Sequence, residues 1–173
     1  MKTLVSASLS DLAADARAAV EDLVDDDRWG EFMALSAIEQ IQWRYSHADC
    51  DDFALVLHEV TGWPVMMVSN PSRGPIHRLV QADDGRLLDV QGWTSIEALK
   101  VRYKLKRLTL AEVSCPEVFS MVSSDEDRLP ILDAMKLMPK APFSDPEFQE
   151  KMFAYRASLE IEEAIGSRMN FIA

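Results

Sequence analysis

The sequence predicts an α+β fold, with helices at both ends of the chain and a small antiparallel sheet in the middle. Apolar residues recur at helical spacing before residue 45 and after residue 124. Between these regions, short apolar runs separated by turn sequences are typical of strands. The length of 173 residues and the hydrophobic content of 48% suit a chain with one sizeable core. We expect a single domain over residues 1–173, with its core at about 46–113 and helical flanks at 8–45 and 124–167.

The charge and cysteine content argue against several classes of binding protein and structural site. The chain has 18 Lys and Arg against 29 Asp and Glu, and its formal net charge is -11. This acidity argues against nucleic-acid binding across the surface and against binding to an anionic membrane. The two cysteines are too few for a disulfide framework and do not form the Cys-x-x-Cys pair of a structural zinc site. Apolar runs are too short for a membrane span or a secretory signal, so we expect a cytoplasmic protein without a metal or cofactor.

Two helices are predicted in the N-terminal flank. Ser8 or Ser10 can cap a helix that runs to about Val24 and carries one apolar stripe. The run of three aspartates at residues 25–27 ends this helix. Apolar residues at helical spacing predict a second helix over residues 31–44.

The next segments predict one helix and three strands. A helix begins near Cys50 and ends before Gly62, since glycine suits the position just past a helix end. The apolar run at 65–68 then predicts a buried strand. Residues 76–82 and 87–90 predict a β-hairpin, because an Asp-Gly pair between them accepts the positive φ of a tight turn.

The remaining chain predicts mainly helices. Ser95 can cap a short helix over residues 96–100. A further strand is expected at 108–113, followed by helices at 125–138 and at about 145–166.

Residues 100–107 alternate between basic and other side chains, which predicts an extended segment. Lys100, Arg102, Lys104 and Lys106 would then share one face. That face is the solvated side of an edge strand, a face that packs near the acidic helices, or a docking site for an acidic partner.

The candidate chemistry lies in Cys50, His77 and Asp89. A cysteine at a helix start is favoured as a thiolate by the helix dipole, and first-turn N–H groups can bind an oxyanion. His77 and Asp89 lie on the two hairpin strands, staggered by about one side-chain pair. Strand twist or a bulge would bring them within hydrogen-bond reach, and the aspartate would then fix the imidazole tautomer.

Two segments resemble the transglutaminase-like and papain-like superfamily of cysteine enzymes. Its nucleophile helix is similar to Cys-Asp-Asp-Phe-Ala at 50–54, followed by Gly-Trp-Pro at 62–64 and an apolar strand. Its His strand and acid strand are similar to His-Arg-Leu-Val at 77–80 and Asp-Gly-Arg-Leu-Leu-Asp at 84–89. The resemblance covers about residues 47–93 and is strongest to small bacterial and phage proteins.

The resemblance implies a papain/transglutaminase-like core, in which the nucleophile helix packs on a small antiparallel sheet. It implies that Cys50 is the nucleophile, His77 the general base and Asp89 the orienting acid. The implied activity is that of a thiol-dependent hydrolase or acyltransferase. Its substrate would be an amide bond in a protein or peptide, whether a peptide bond, an isopeptide bond or a glutamine side chain.

Two further residues are candidate substrate-binding groups. His47 lies three residues before Cys50 and could sit near it. Trp93 follows the acid strand and could form the wall of a substrate groove.

An alternative function is a catalytically inactive or repurposed fold that binds another protein. A phage or mobile-element inhibitor of a host factor would be one example. The acidic residues Asp49, Asp51 and Asp52 surround Cys50, and their charge raises a thiol pKa and opposes its activation. A protonated His77 that paired with the thiolate would offset this effect.

Overall fold

The computed structural model describes residues 6–169, apart from the side chains of residues 26, 27, 119 and 162–169. The helices are α1 Leu9–Val20, α2 Asp26–Met33, α3 Ala37–His47, α4 Cys50–Thr61, α5 Ile96–Arg102, α6 Asp125–Leu137 and α7 Pro146–Met169. The strands are β1 Val65–Asn70, β2 Gly74–Gln81, β3 Leu87–Asp89, β4 Gly92–Thr94 and β5 Thr109–Glu112. Short 3-10 turns cover Glu21–Leu23 and Pro116–Phe119. Within residues 6–169, none of the helices has the length and apolar character needed to cross a bilayer.

The five strands form one sheet in the order β4-β3-β2-β1-β5, and each neighbouring pair is antiparallel. The predicted α+β class is confirmed, as are the buried strand β1 and the β2–β3 hairpin. Strand β4 is an addition, because the sequence predicts no strand between residue 90 and residue 108. Gly92 has φ 94° and lets the chain turn back, so that β4 pairs with β3.

The loop between α6 and α7 covers the outer side of β4. The Trp93 N–H donates a hydrogen bond to the Ala141 carbonyl at 3.3 Å. A Cβ atom at Gly92 would lie 2.8 Å from the same carbonyl oxygen, so only glycine allows this close approach.

The two faces of the sheet carry two separate apolar clusters. Successive side chains of a strand point to opposite faces, so neighbouring residues belong to different clusters. On one face, Val80 of β2 packs in a large cluster with Phe53 of α4 and with residues of α1, α3, α6 and α7. On the other face, Leu79 of β2 packs in a smaller cluster with Leu99 of α5. We call these the α4 face and the α5 face.

The N-terminal flank differs from the prediction in its helix boundaries. The first helix begins after the Ser8 cap, as predicted, but gives way to a 3-10 turn after Val20. The predicted helix over 31–44 is two helices, because Ser36 accepts the Glu39 N–H and thereby caps a new one, α3.

The C-terminal helices confirm their prediction and are tied to the core by ion pairs. Glu59 of α4 binds Arg128 of α6 at 2.7 Å and accepts a hydrogen bond from Tyr155 of α7. Asp133 of α6, which is buried, pairs with Arg156 of α7 at 2.6 Å.

The prediction of an extended segment at residues 100–107 is wrong. Helix α5 continues to Arg102, and Lys104 at φ 53° closes it in the left-handed conformation. The N–H groups of Lys104 and Leu105 bind the carbonyls of Val101 and Lys100 at 3.2 and 2.9 Å. These local bonds satisfy the helix end, whereas an extended segment would need a neighbouring strand.

The four basic residues therefore do not share a face as predicted. Lys100 pairs with Glu97 at 2.7 Å on the surface of α5, while Arg102 turns inward to Asp89. Lys104 and Lys106 are exposed in the turn that follows. The structure therefore has no continuous stripe of these four residues on which an acidic partner could dock.

Candidate functional site

Cys50 is the first residue of α4, as the sequence predicted. Asp49 precedes it without a side-chain capping bond to the helix. The thiol is partly buried and lies 3.8 Å from the Asp51 Oδ1 atom.

The surroundings of Cys50 favour the neutral thiol. Burial, followed by the charge of Asp51, raises the pKa of Cys50 to about 11. The backbone N–H and the guanidinium of Arg78 lower this pKa but do not outweigh burial. The thiol is therefore protonated at neutral pH in this structure, despite its position at a helix start.

His77 and Asp89 form the contact that the sequence predicted. The pairing of Val80 with Leu88 places Asp89 opposite Leu79, and so diagonal to His77 on the α5 face. The His77 Nε2 and Asp89 Oδ2 atoms are 3.2 Å apart, and each residue is 2% exposed. A bulge displaces β2 just before His77, where the register with β1 shifts.

The ionisation of Asp89 defines the tautomer of His77. Burial raises the pKa of Asp89, but the hydrogen bonds and charges of His77 and Arg102 outweigh it and hold that pKa below its usual value. The ionised carboxylate only accepts hydrogen bonds, so Nε2 of a neutral His77 carries the proton. Nδ1 then has a free lone pair. It is buried and has no hydrogen-bond partner among the residues the structure describes.

Arg102 and Tyr103 complete the surroundings of this pair, and the sequence did not predict either. Arg102 Nη1 donates to the same Asp89 Oδ2 atom that His77 contacts. The Tyr103 ring lies 5.6 Å from the His77 ring, and its hydroxyl donates to the Ser46 carbonyl at 3.0 Å. Both residues belong to the alternating segment 100–107, which predicted a strand, so no sequence signal placed them beside His77 and Asp89.

Cys50 and His77 are not joined by a hydrogen bond in the described structure. His77 follows Leu79 onto the α5 face, whereas α4 packs on the opposite face. Arg78, the next residue of β2, points the other way and forms an ion pair with Asp51. The ion pair joins the start of α4 to β2 directly beside His77.

The junction between α3 and α4 lies where β3 separates from β2. The β2–β3 pairing ends at Val80 and Leu88, so residues 77 and 78 have no β3 partner in that ladder. Ser46 lies near the end of α3. Its backbone carbonyl accepts a hydrogen bond from the Tyr103 hydroxyl, and its Oγ atom lies 3.5 Å from Gln91 Nε2. The thiol approaches the sheet at this gap, near the backbone N–H of Arg78 that lowers its pKa.

The two candidate substrate-binding residues lie in different places. His47 is exposed and stacks on Trp43 with a centroid distance of 4.7 Å. Burial of part of the ring is the main cause of its lowered pKa. Its ring also lies 6.0 Å from that of Tyr103, which in turn lies beside the His77 ring, so His47 is near the His77–Asp89 pair.

Trp93 lies at the opposite end of α4 from Cys50. Its ring is 5.8 Å from that of Trp63, which follows the last turn of α4, and Arg86 covers it at 3.9 Å. The twelve residues of α4 span about 18 Å. The structure therefore does not bring Trp93 to the site.

Comparison with known proteins leaves the site to be interpreted from its own geometry. No family model, curated protein or solved structure matches the chain. Among the described residues, no group of three or more His, Cys, Asp or Glu side chains is placed to hold a metal ion.

Proposed function

We propose that the protein is a thiol-dependent hydrolase or acyltransferase that acts on an amide bond of a protein or peptide. Cys50 is the nucleophile, His77 the general base and Asp89 the residue that orients the imidazole. The observation that carries this proposal is the buried Nδ1 atom of His77, whose ring is held through Nε2 by an ionised aspartate.

An unpaired buried acceptor is costly in a folded protein. Leaving such a group without a hydrogen bond costs about 1–3 kcal/mol. Buried polar atoms without a partner are few in native structures, and a catalytic role is one reason for which they persist. The free lone pair of Nδ1 lies on an imidazole of defined tautomer, which is the form that a general base requires.

The proposed reaction proceeds in two halves. His77 Nδ1 takes the proton of the Cys50 thiol, and the thiolate attacks the carbonyl carbon of the amide. First-turn N–H groups of α4 stabilise the oxyanion. The imidazolium then protonates the leaving amine, the C–N bond breaks and a thioester remains. Water or a second amine attacks the thioester and gives its proton to His77, the C–S bond breaks, and His77 returns the proton to the thiolate.

The first step requires Cys50 and His77 to approach each other. Catalytic hydrogen bonds are commonly longer or poorly aligned without substrate and shorten in the complex. The pKa of about 11 belongs to a thiol that faces Asp51, and an imidazolium beside the thiolate would lower it.

The dependence of Cys50 alkylation on His77 tests the proposal. Iodoacetamide labelling at neutral pH, followed by peptide mass spectrometry, gives separate rates for Cys50 and for the exposed Cys115. We expect His77→Gln to slow Cys50 labelling by about tenfold or more, because the general base is lost. The rate at Cys115 should not change.

His58→Gln is the matched control. His58 is also a histidine close to Cys50 in sequence, but it lies near the far end of α4. Its Nδ1 atom is 2.7 Å from the Trp63 carbonyl oxygen. It should leave the Cys50 rate unchanged. Equal Cys50 rates in the parent and in a folded His77→Gln protein, as judged by circular dichroism, would overturn the proposal.

A second candidate function is a protein-interaction module in which the triad is not used. The raised pKa of Cys50 and the missing Cys50–His77 hydrogen bond favour it. With a net charge of -11, the chain would then bind a basic partner. Cys50 labelling that is slow and independent of His77 is the result that this function predicts.

A further inference from the structure

The carboxylate of Asp89 is shared between His77 and a permanent positive charge. Oδ2 accepts hydrogen bonds from His77 Nε2 and from Arg102 Nη1, while Oδ1 accepts the Gln91 N–H at 2.8 Å. Asp89 is 2% exposed and the Arg102 side chain 17% exposed, so the ion pair is largely shielded from water. Arg102 is thus a fixed neighbour of the His77–Asp89 pair, which we call the dyad.

Arg102 changes what Asp89 can do for His77. In a Cys-His-acid site, the negative charge of the acid stabilises the imidazolium that forms when His takes the proton. A guanidinium on the same oxygen offsets that charge, and in a protein it does not lose its proton. Asp89 can still hold the ring in place, but it favours the imidazolium less than an unpaired aspartate would.

Apart from the Asp51–Arg78 ion pair on the other side of β2, the titratable groups near the imidazole are neutral at pH 7. Burial raises the pKa values of Tyr103 and of Cys50, so both keep their protons. The pKa of His47 is lowered, and its ring is therefore uncharged at that pH. The charges that face the ring from β3 and α5 are those of Asp89 and Arg102, which are opposite in sign and share the Asp89 Oδ2 atom.

We propose that Arg102 is a positioning residue that acts as a brake on the dyad. It fixes the Asp89 carboxylate under His77 and holds back the transfer of the Cys50 proton to the imidazole. This inference rests on the proposed function of Cys50 and His77. It predicts a protein whose thiol is less reactive with Arg102 than without it.

Replacement of Arg102 tests the direction of the effect, again by iodoacetamide labelling of Cys50 at neutral pH. Arg102→Met removes the charge, and we expect the Cys50 rate to rise about threefold or more, because Asp89 then stabilises the imidazolium alone. Arg102→Lys keeps the charge, and its rate should stay within about twofold of the parent. A rate in Arg102→Met that equals or falls below that of the parent would overturn the brake.

A double variant separates this effect from a general loosening of the site. If the gain passes through the imidazole, it disappears in Arg102→Met/His77→Gln. A gain that survives there would show that Arg102 has only a structural role. Arg102→Gln, which keeps a donor for Asp89 without the charge, decides the sign if Arg102→Met does not fold.

The same data distinguish the two proposals. A His77→Gln protein that labels like the parent contradicts the function itself. A His77→Gln protein that labels slowly, beside an Arg102→Met protein without a gain, contradicts only the brake.

Discussion

The two faces of the sheet differ in what they contribute. The α4 face carries the larger apolar cluster, which joins the sheet to helices from both flanks of the chain. The α5 face has a smaller apolar cluster and carries the buried polar group of His77, Asp89 and Arg102. Because side chains alternate along a strand, β2 and β3 serve the core with one set of residues and the site with the other. Mutations on the two faces should therefore differ in how much stability they cost.

The largest loss of stability is expected on the α4 face, for Phe53→Ala. Phe53 is 2% exposed and its ring lies 5.1 Å from that of Tyr45 and 6.0 Å from that of Phe143. Loss of the ring should lower the free energy of unfolding by about 3–5 kcal/mol, measured in urea. Val101→Ala on the exposed side of α5 is the control, with a change below about 0.5 kcal/mol. Similar values for both variants would contradict the division into two faces.

Asp89→Asn should give a smaller loss on the α5 face. It leaves the largely buried Arg102 without its counter-charge, and the loss of one partner from such a contact should cost about 1–3 kcal/mol of unfolding free energy. The control is Asp84→Asn, whose ion pair with Arg86 is more than half exposed on both sides. That exposed pair should contribute less than about 1 kcal/mol. A loss at Asp89 no larger than at Asp84 would show that the polar group does not stabilise the α5 face.

The same variant predicts a pH dependence of definite sign. The pKa of Asp89 is lowered in the folded protein, so its ionised form stabilises the fold. This contribution is present above the unfolded pKa of about 3.9 and is lost as pH falls through the lower folded value. The difference in unfolding free energy between the parent and Asp89→Asn should therefore shrink on acidification below about pH 4. A constant difference over that range would contradict the assignment.

The smallest effect is expected from Lys104→Gly, and it is a gain. Lys104 holds φ 53° at the end of α5, a conformation that glycine adopts without steric cost. The left-handed conformation costs a residue with a side chain about 1–2 kcal/mol, and the greater freedom of glycine in the unfolded chain takes back about 0.5–1 kcal/mol. The melting temperature should therefore rise, with a net stabilisation of about 0.5–1 kcal/mol. Lys106→Gly is the control and should be neutral or slightly destabilising, because glycine there only adds freedom to the unfolded chain. A loss of stability in Lys104→Gly would mean that the lysine side chain makes a larger contribution than the backbone.

The sequence was sufficient for the local parts of the fold and of the site. The Asp-Gly turn fixed the β2–β3 hairpin, and the hairpin register determined that His77 and Asp89 lie on one face. The end of α4 followed from Gly62, and its start was predicted near Cys50. Each of these features depends on residues that are close in the chain.

The relation between Cys50 and His77 depends on long-range packing and could not be predicted. Alternation along β2 places His77 and Arg78 on opposite faces, but it does not say which face α4 will cover. That choice is made by contacts of α4 with α6 and α7, which lie far along the chain. The end of α5 was mispredicted for a related reason, since its closing hydrogen bonds at Lys104 outweighed an alternation that suits a strand.

The glycine at position 92 also determines where the sheet can grow. Its missing side chain lets the Ala141 carbonyl accept the Trp93 N–H, so the edge of the sheet next to the His-Asp hairpin is partly covered against another strand. At the other edge, Thr109, Ala111 and Glu112 of β5 are exposed. Strand exchange or fibre-like stacking of this chain would therefore begin at β5, on the side of the sheet away from the candidate chemistry.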